Sequence, residues 1–258
     1  MKAIALLALP MLLLAGWTPA QAQARRGRYP EATRNFVDAA TLDLSALPAP
    51  PLPGTLAAEA DLETILQLQA WRTEAEVAWA RGLDHLDIFA AGAAVGPWFT
   101  RAALPRCAQF LEEALGDGEH LNKVAKLTFR RLRPPYFDAR VKPCVPILPW
   151  PKGEPPAGFY SYPSGHSTSI FILVELLGEL VPDRREALTK WAHRAAWSRM
   201  LAGMHFPSDD MGGKHLAAIA VKAMRTNPAF RESMAACAQE IQAARPAQGI
   251  ARVPDLRH

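Results

Sequence analysis

Three short stretches hold the side chains on which chemistry could be built. In the first, Pro163-Ser164-Gly165-His166 opens directly into the apolar run Ser169 to Leu177. A run that is apolar on nearly every face reads as a buried helix, so its first turn projects from the core. A helix start offers N–H groups without intrahelical acceptors and the positive end of a dipole, which suits an anion. Gly165 permits close approach, Ser164 adds a hydroxyl donor, and His166 stands at the rim. In the second stretch, Ser198-Arg199 is followed by His205 and then Asp209. His205 falls between two helical patterns and Asp209 falls in the first turn of the later one. One imidazole nitrogen could thus meet a carboxylate while the other attacks, which is base–orienter logic with histidine as nucleophile. The third stretch is basic: Lys123, Lys126, Arg130, Arg131 and Arg133 precede Pro134-Pro135. At spacings of four and three, Lys126, Arg130 and Arg133 would share one helical face.

Each stretch alone has a plain structural explanation. A basic face is commonly just solvated, and an aspartate in a first helical turn is favoured by the dipole alone. Arg130, Arg131 and Asp210 acquire no role from the pattern and are expected to pair at the surface. The three together make a cation-lined anion cradle beside a histidine.

The elements that must position these residues are helical. Asp61 reads as an N-cap, and Thr73-x-x-Glu76 is a capping-box pattern that either opens a second helix or lies inside a longer one. Trp71 and Trp79 are expected in the core. Ala91 to Leu115 reads as two short helices ended by Gly116-Asp117-Gly118, and Glu119 to Arg133 as a basic helix stopped by the prolines. Pro134 to Tyr162 has little periodicity and reads as a long surface loop, a place for selectivity. A helix through Leu188, Trp191, Ala195 and Arg199 ends near Gly203. Pro207 suits the first position of the next, which runs to about Arg225, and a last helix spans Pro228 to about Ala244. No strand pattern of any length is present, so the fold class is all-α.

The 258 residues suffice for one large domain with a substantial core. A net charge of +4 is too weak and too dispersed to argue for nucleic acid. Residues 1–22 have the layout of a cleaved secretory signal peptide, with a short positive start, an apolar stretch and small residues around Ala22. An extended arm over 23–55, a helical domain over 56–245 and a tail over 246–258 complete the expected organisation. No later segment reaches membrane-spanning length, so a periplasmic or secreted protein without stable membrane insertion is expected. Export permits disulfides. Three cysteines give one pair and one free thiol, with Cys107–Cys144 the preferred pair. Neither cysteines nor histidines have metal-ligand spacing, so no metal and no other cofactor is expected.

The combination of Lys126 with six residues before Arg133-Pro134, Pro163-Ser164-Gly165-His166, and Ser198-Arg199 through His205 to Asp209 resembles the type 2 phosphatidic acid phosphatase superfamily. Within it, the sequence is most similar to the soluble class A bacterial non-specific acid phosphatases, from about Leu47 to about Arg225. The resemblance implies a helical bundle and a metal-independent phosphomonoesterase releasing inorganic phosphate. Lys126, Arg133 and Arg199 would bind the phosphoryl oxygens with Ser164 and the Gly165 N–H. His205 would attack phosphorus to form a phosphohistidine, oriented by Asp209, and His166 would protonate the leaving oxygen. An acidic pH optimum follows, because His205 must be neutral while His166 is charged. Bundles of this sort often pair through helical faces, so a homodimer is possible. One departure is visible: that branch usually has Gly-Ser-Tyr where this chain has Tyr160-Ser161-Tyr162, a change beside the site that bears on substrate preference.

The same resemblance leaves two other reactions open. Vanadate-dependent haloperoxidases hold vanadate on these residue types but tend to be larger. Lipid phosphate phosphatases of the superfamily usually have several membrane spans. A binding protein without catalysis would need neither His205 nor His166.

Overall fold

The computed structural model describes residues 36–38, 42–85 and 87–245. The expected signal peptide and tail lie outside them. Within them the chain is helical, without strands. Its α-helices are α1 (Leu56–Trp71), α2 (Glu74–Gly82), α3 (Gly92–Val95), α4 (Pro105–Phe129), α5 (Pro134–Phe137), α6 (Gly165–Leu180), α7 (Arg185–Leu201), α8 (Pro207–Met224) and α9 (Pro228–Ala244).

α6 is the centre. Ile170, Ile172, Leu173, Leu176 and Leu177 are all buried, each stabilising the fold by about 2 kcal/mol. The helix packs most heavily on α8, then on α7 and α4, and α9 closes the far side of α4. The main hydrophobic core runs through α4, α6, α7, α8 and α9. Two smaller clusters sit at the other end. One joins Ala80 to Cys144, Val145, Leu201, Ala202 and Met204, and the other joins Ile65 to Val141, Met200 and Phe206. They press α1, α2 and the 141–145 segment onto the break between α7 and α8.

Local signals explain several boundaries. Thr73 and Glu76 form the reciprocal capping box that opens α2. Pro207 and Pro228 each stand at a helix start, where a missing N–H costs nothing.

Other expectations are corrected. Asp61 is not an N-cap: Thr55 caps α1, and Asp61 lies buried within the helix. α4 does not stop at Gly116-Asp117-Gly118 but runs through it to Phe129. A Cβ on Gly118 would stand 2.3 Å from Ile172 Cδ1, so this glycine serves the close crossing of α4 on α6 rather than a turn. Asp117 faces inward and accepts from the N–H groups of Phe36 and Val37, at 2.6 and 3.2 Å, tying the N-terminal arm to the helix. Trp71 is 73% exposed rather than in the core, while Trp79 is partly buried against the Ala80 cluster. The disulfide joins Cys107 to Cys237, not to Cys144, and links α4 to α9; Cys144 is a buried free thiol. Cys107 and Cys237 sit on two helices packed side by side, whereas Cys144 is held at the opposite end, its N–H on Ala202 O at 3.1 Å.

Candidate active site

The three stretches converge at the N-terminal end of α6. Ser164 is its N-cap, with Oγ accepting from the Ser167 N–H at 3.3 Å, and the Ser164 N–H donates to Asp209 O at 2.9 Å. That last bond joins the start of α6 to the start of α8. Gly213 makes the junction possible, since a Cβ there would lie 2.6 Å from Ser164 O and 2.7 Å from Ser167 Cβ. Asn122 of α4 braces the same turn, donating to Pro163 O at 3.1 Å. The N–H groups of Gly165 and His166 head the helix, where no intrahelical acceptor exists. Ser167 and Thr168 already use the Ser164 hydroxyl and carbonyl.

His205 sits in the break between α7 and α8, only 1% exposed. Gly203, at φ +71°, turns the chain there, packed against Pro143 and Val141. His205 Nε2 lies 2.9 Å from Arg133 Nη1. A guanidinium only donates, so Nε2 is the acceptor and the neutral ring carries its hydrogen on Nδ1. Nδ1 faces Asp209 Oδ2 at 3.6 Å, an ion-pair separation longer than a hydrogen bond. Burial, and then the charges of Arg133, Lys126, Arg199 and His166, hold the His205 pKa well below the usual histidine value. Those four neighbours include every candidate cation of the sequence reading, so the structure does bring them together around this ring. The ring is neutral, as an attacking imidazole must be.

Asp209 is wholly buried. Its Oδ2 accepts from the Phe206 N–H at 2.8 Å and its Oδ1 from Arg131 Nη1 at 2.9 Å. Burial pushes its pKa up, and Arg131 and the Phe206 N–H oppose that rise. Arg131, expected to pair at the surface, instead has a side chain only 11% exposed and lies in a polar core. Its Nη2 reaches Asp61 Oδ2 at 2.7 Å, its Nη1 reaches Ser208 Oγ at 2.6 Å, and its plane lies 4.1 Å from the centre of the Phe206 ring. Asp61 in turn accepts from the Ser208 N–H at 3.2 Å and from its hydroxyl. The carboxylate behind His205 is thus fixed by a chain that begins on α1.

The expected common face of Lys126, Arg130 and Arg133 does not form, because Arg130 caps α4 in the left-handed conformation at φ 50°. Arg130 turns outward to Glu154, an exposed pair at 2.7 Å. Arg133 returns to the site from extended backbone, its Nε donating to Gly158 O at 2.8 Å and its own N–H to Phe159 O at 3.2 Å. Lys126 is buried, and its Nζ donates to Tyr160 O and Ser161 O at 2.6 and 3.0 Å. The Pro134–Tyr162 segment contributes these carbonyls and also contains α5 and a short 3-10 turn, Ala157–Phe159.

At the rim, Asp84 meets two site residues. Its Oδ1 pairs with Arg199 Nη2 at 2.9 Å, and its carbonyl lies 3.0 Å from His166 Nε2. Asp84 also lines a cavity of about 560 Å³ with Arg81, His85 and Pro143 to Pro146. Asp61, Asp84 and Asp210 were not assigned to the site by the sequence reading. Only burial and long-range contact reveal them, and neither leaves a periodic trace.

A PAP2 superfamily model matches residues 111–231, the span that contains all eight candidate site residues. The matched span is just under half of the chain, so residues 111–231 are similar to a PAP2 superfamily domain. The chain is 33% identical over 81 residues to a non-specific acid phosphatase of Salmonella typhimurium, 31% of this chain and 32% of that protein. It therefore spans about a third of that relative's length. A longer match, 28% identical over 183 residues, joins it to an acid phosphatase of Zymomonas mobilis, covering 69% of this chain and 66% of the relative. Among solved structures it is similar to a transmembrane PAP2 type phosphatidylglycerolphosphate phosphatase from Bacillus subtilis, at 19% identity and a TM-score of 0.47, over 67% of this chain and 87% of that one. No helix among the described residues is long and apolar enough to cross a membrane.

Proposed function

We propose that this protein is an exported acid phosphatase that hydrolyses small phosphomonoesters through a phosphohistidine at His205, without a metal. The observation that carries the reading is the state of His205: buried, neutral, hydrogen on Nδ1 toward Asp209, and Nε2 facing Arg133. A phosphate dianion needs two or three fixed positive charges and neutral donors, and arginine's fork matches two oxygens at once. Lys126, Arg133 and Arg199 supply the charges, and Ser164 with the Gly165 N–H supplies the donors. Phosphoryl transfer asks the protein mainly to position groups and stabilise charge, so such a cradle serves the role a metal would otherwise take.

In the proposed sequence, substrate enters and Arg133 exchanges its bond to Nε2 for one to a phosphoryl oxygen. Nε2 then attacks phosphorus, and the imidazolium that forms is stabilised by Asp209. His166 gives its proton to the leaving oxygen, then acts as base toward the water that cleaves the N–P bond. The leaving group lies toward the Asp84 cavity, which adjoins His166 and draws four of its seven lining residues from the 135–162 segment. The acid phosphatase names of the Salmonella and Zymomonas relatives support this reading. Export rests on the composition of residues 1–22.

The pH behaviour follows from the sign of the His205 shift. A lowered pKa keeps the ring neutral as pH falls below 6.5, so the nucleophile survives in mild acid, the condition in which the proposed acid role asks His166 to carry a proton. Hydrolysis of a chromogenic aryl phosphate between about pH 4 and 9, a span that brackets histidine titration, tests this in excess chelator. Chelator-resistant turnover peaking on the acid side and lost in His205→Ala is expected. Turnover that rises steadily above neutrality, or that survives in His205→Ala, contradicts the reading. Halide oxidation with vanadate and peroxide, in the absence of phosphatase activity, would transfer the site to the haloperoxidases.

A further inference from the structure

Behind the phosphate cradle lies a polar chain that the mechanism above does not use. Ser167 Oγ is 3.0 Å from Ser164 Oγ and 2.7 Å from Asp210 Oδ1, all three residues being buried. Both contacts would be donated by the same hydroxyl, which has only one hydrogen. The chain therefore has two directions. Asp210 Oδ2 is buried with no hydrogen-bond partner, a costly position for a carboxylate oxygen and an ordinary one for a protonated carboxyl.

We propose that Asp210 is a positioning residue whose proton sets the direction of the Ser167–Ser164 hydroxyl chain and so decides whether Ser164 offers the phosphoryl group a hydrogen or a lone pair. With Asp210 protonated, the carboxyl donates to Ser167 Oγ and the Ser167 hydrogen goes to Ser164 Oγ. That oxygen, already accepting from the Ser167 N–H, has its acceptor sites filled and points its own hydrogen into the cradle. With Asp210 ionised, Ser167 donates back to the carboxylate and Ser164 turns its hydrogen inward, toward Ser167 or toward Asp210 itself. A phosphoryl oxygen then meets a lone pair.

The surroundings favour the protonated form. Burial pushes the Asp210 pKa up to about 7; the neighbouring charge of Asp209 adds to the rise, while the Ser167 and Ser164 hydroxyls and Arg199 from α7 oppose it. Lys126 of α4, Arg131 and Asp61 of α1 act on the adjacent Asp209. Because a bound anion selects one direction of the chain, the coupling is reciprocal: anion binding draws a proton onto Asp210.

The inference rests on Ser164 being a phosphoryl donor, and the test separates the two. Sulfate, a dianion throughout the range, is titrated calorimetrically into wild type and Asp210→Asn between pH 6 and 8. The asparagine amide donates to Ser167 Oγ at every pH. Wild-type affinity is expected to fall about tenfold more than that of Asp210→Asn across this window, as the competent fraction shrinks by about that factor. Equal pH dependence in the two proteins overturns the Asp210 role while leaving the cradle intact. No sulfate binding by the wild type at any pH overturns the cradle itself. Should Asp210→Asn not fold, infrared difference spectra of wild type at pH 8 decide instead. Sulfate must increase the protonated-carboxyl absorption, and an unchanged carboxyl region contradicts the proposal.

Discussion

The starts of α6 and α8 lie against each other, joined by the Ser164 N–H to Asp209 O bond, and they treat their positive ends oppositely. α8 fills its own: Asp209, in its first turn, folds back on the Phe206 N–H and is locked by Arg131. α6 is capped by a neutral hydroxyl and has no acidic residue of its own in the first turn. Two helix starts of similar physics thus take different anions. One holds the protein's own carboxylate, which faces His205; the other, under the proposed function, takes the phosphoryl group of the substrate. A helix N-terminus is not a site until its neighbour's internal anion has been accounted for.

Breaking the closed start has the largest expected effect. Arg131→Met leaves Asp209 and Asp61 buried without their shared cation, which costs about 3 kcal/mol of stability in a denaturant titration. It also loosens the carboxylate behind Nδ1, so kcat falls about 10²-fold, short of the ~10⁴ that a wholly misoriented histidine loses. A stable, fully active Arg131→Met would show that Asp209 is held by the Phe206 N–H alone.

Separating the two starts comes next. In Gly213→Ala the new Cβ collides with Ser164 O and Ser167 Cβ. A backbone atom cannot rotate away as a flexible side chain would, so about 2 kcal/mol of stability is lost, and KM rises as the cradle is displaced. An unchanged melting temperature would mean that the junction yields without strain.

The open start is sharpened by Asp84→Asn. The Asp84 carboxylate pairs with Arg199 where an anion would compete. Removing its charge is expected to tighten product inhibition by phosphate about threefold to tenfold, in the range of a partly exposed ion pair. Weaker inhibition would make Asp84 a support for Arg199 rather than a competitor.

Legibility in the sequence divided along the same line. The gathering of residues at the open start was readable because the proposed chemistry confines residue types: Ser164, Gly165, His166, Arg199 and His205 would have few substitutes in it. Pro207, Pro228 and the Thr73–Glu76 box marked helix starts through backbone geometry that any sequence reading can use. The clamp that Arg131 and Asp61 put on the closed start was not readable. Arg130, Arg131 and Arg133 look alike in a string, and their separation into surface, core and cradle depends on the left-handed turn at Arg130, which reverses the phase of everything after it. Gly118 resembled a terminator because glycine serves both turns and close helix crossings. The Cys107–Cys237 pair depends on which helices lie side by side, which spacing does not encode.

The central claim is that Nε2 of His205 takes the phosphoryl group, and trapping the intermediate tests it most directly. A labelled aryl phosphate is mixed with enzyme, quenched in alkali within one turnover, and the digest is analysed by mass spectrometry. The account predicts label on His205 that is stable to alkali and lost in acid, and none in His205→Ala. Active enzyme that carries no label at His205, or carries it on another residue, would contradict it.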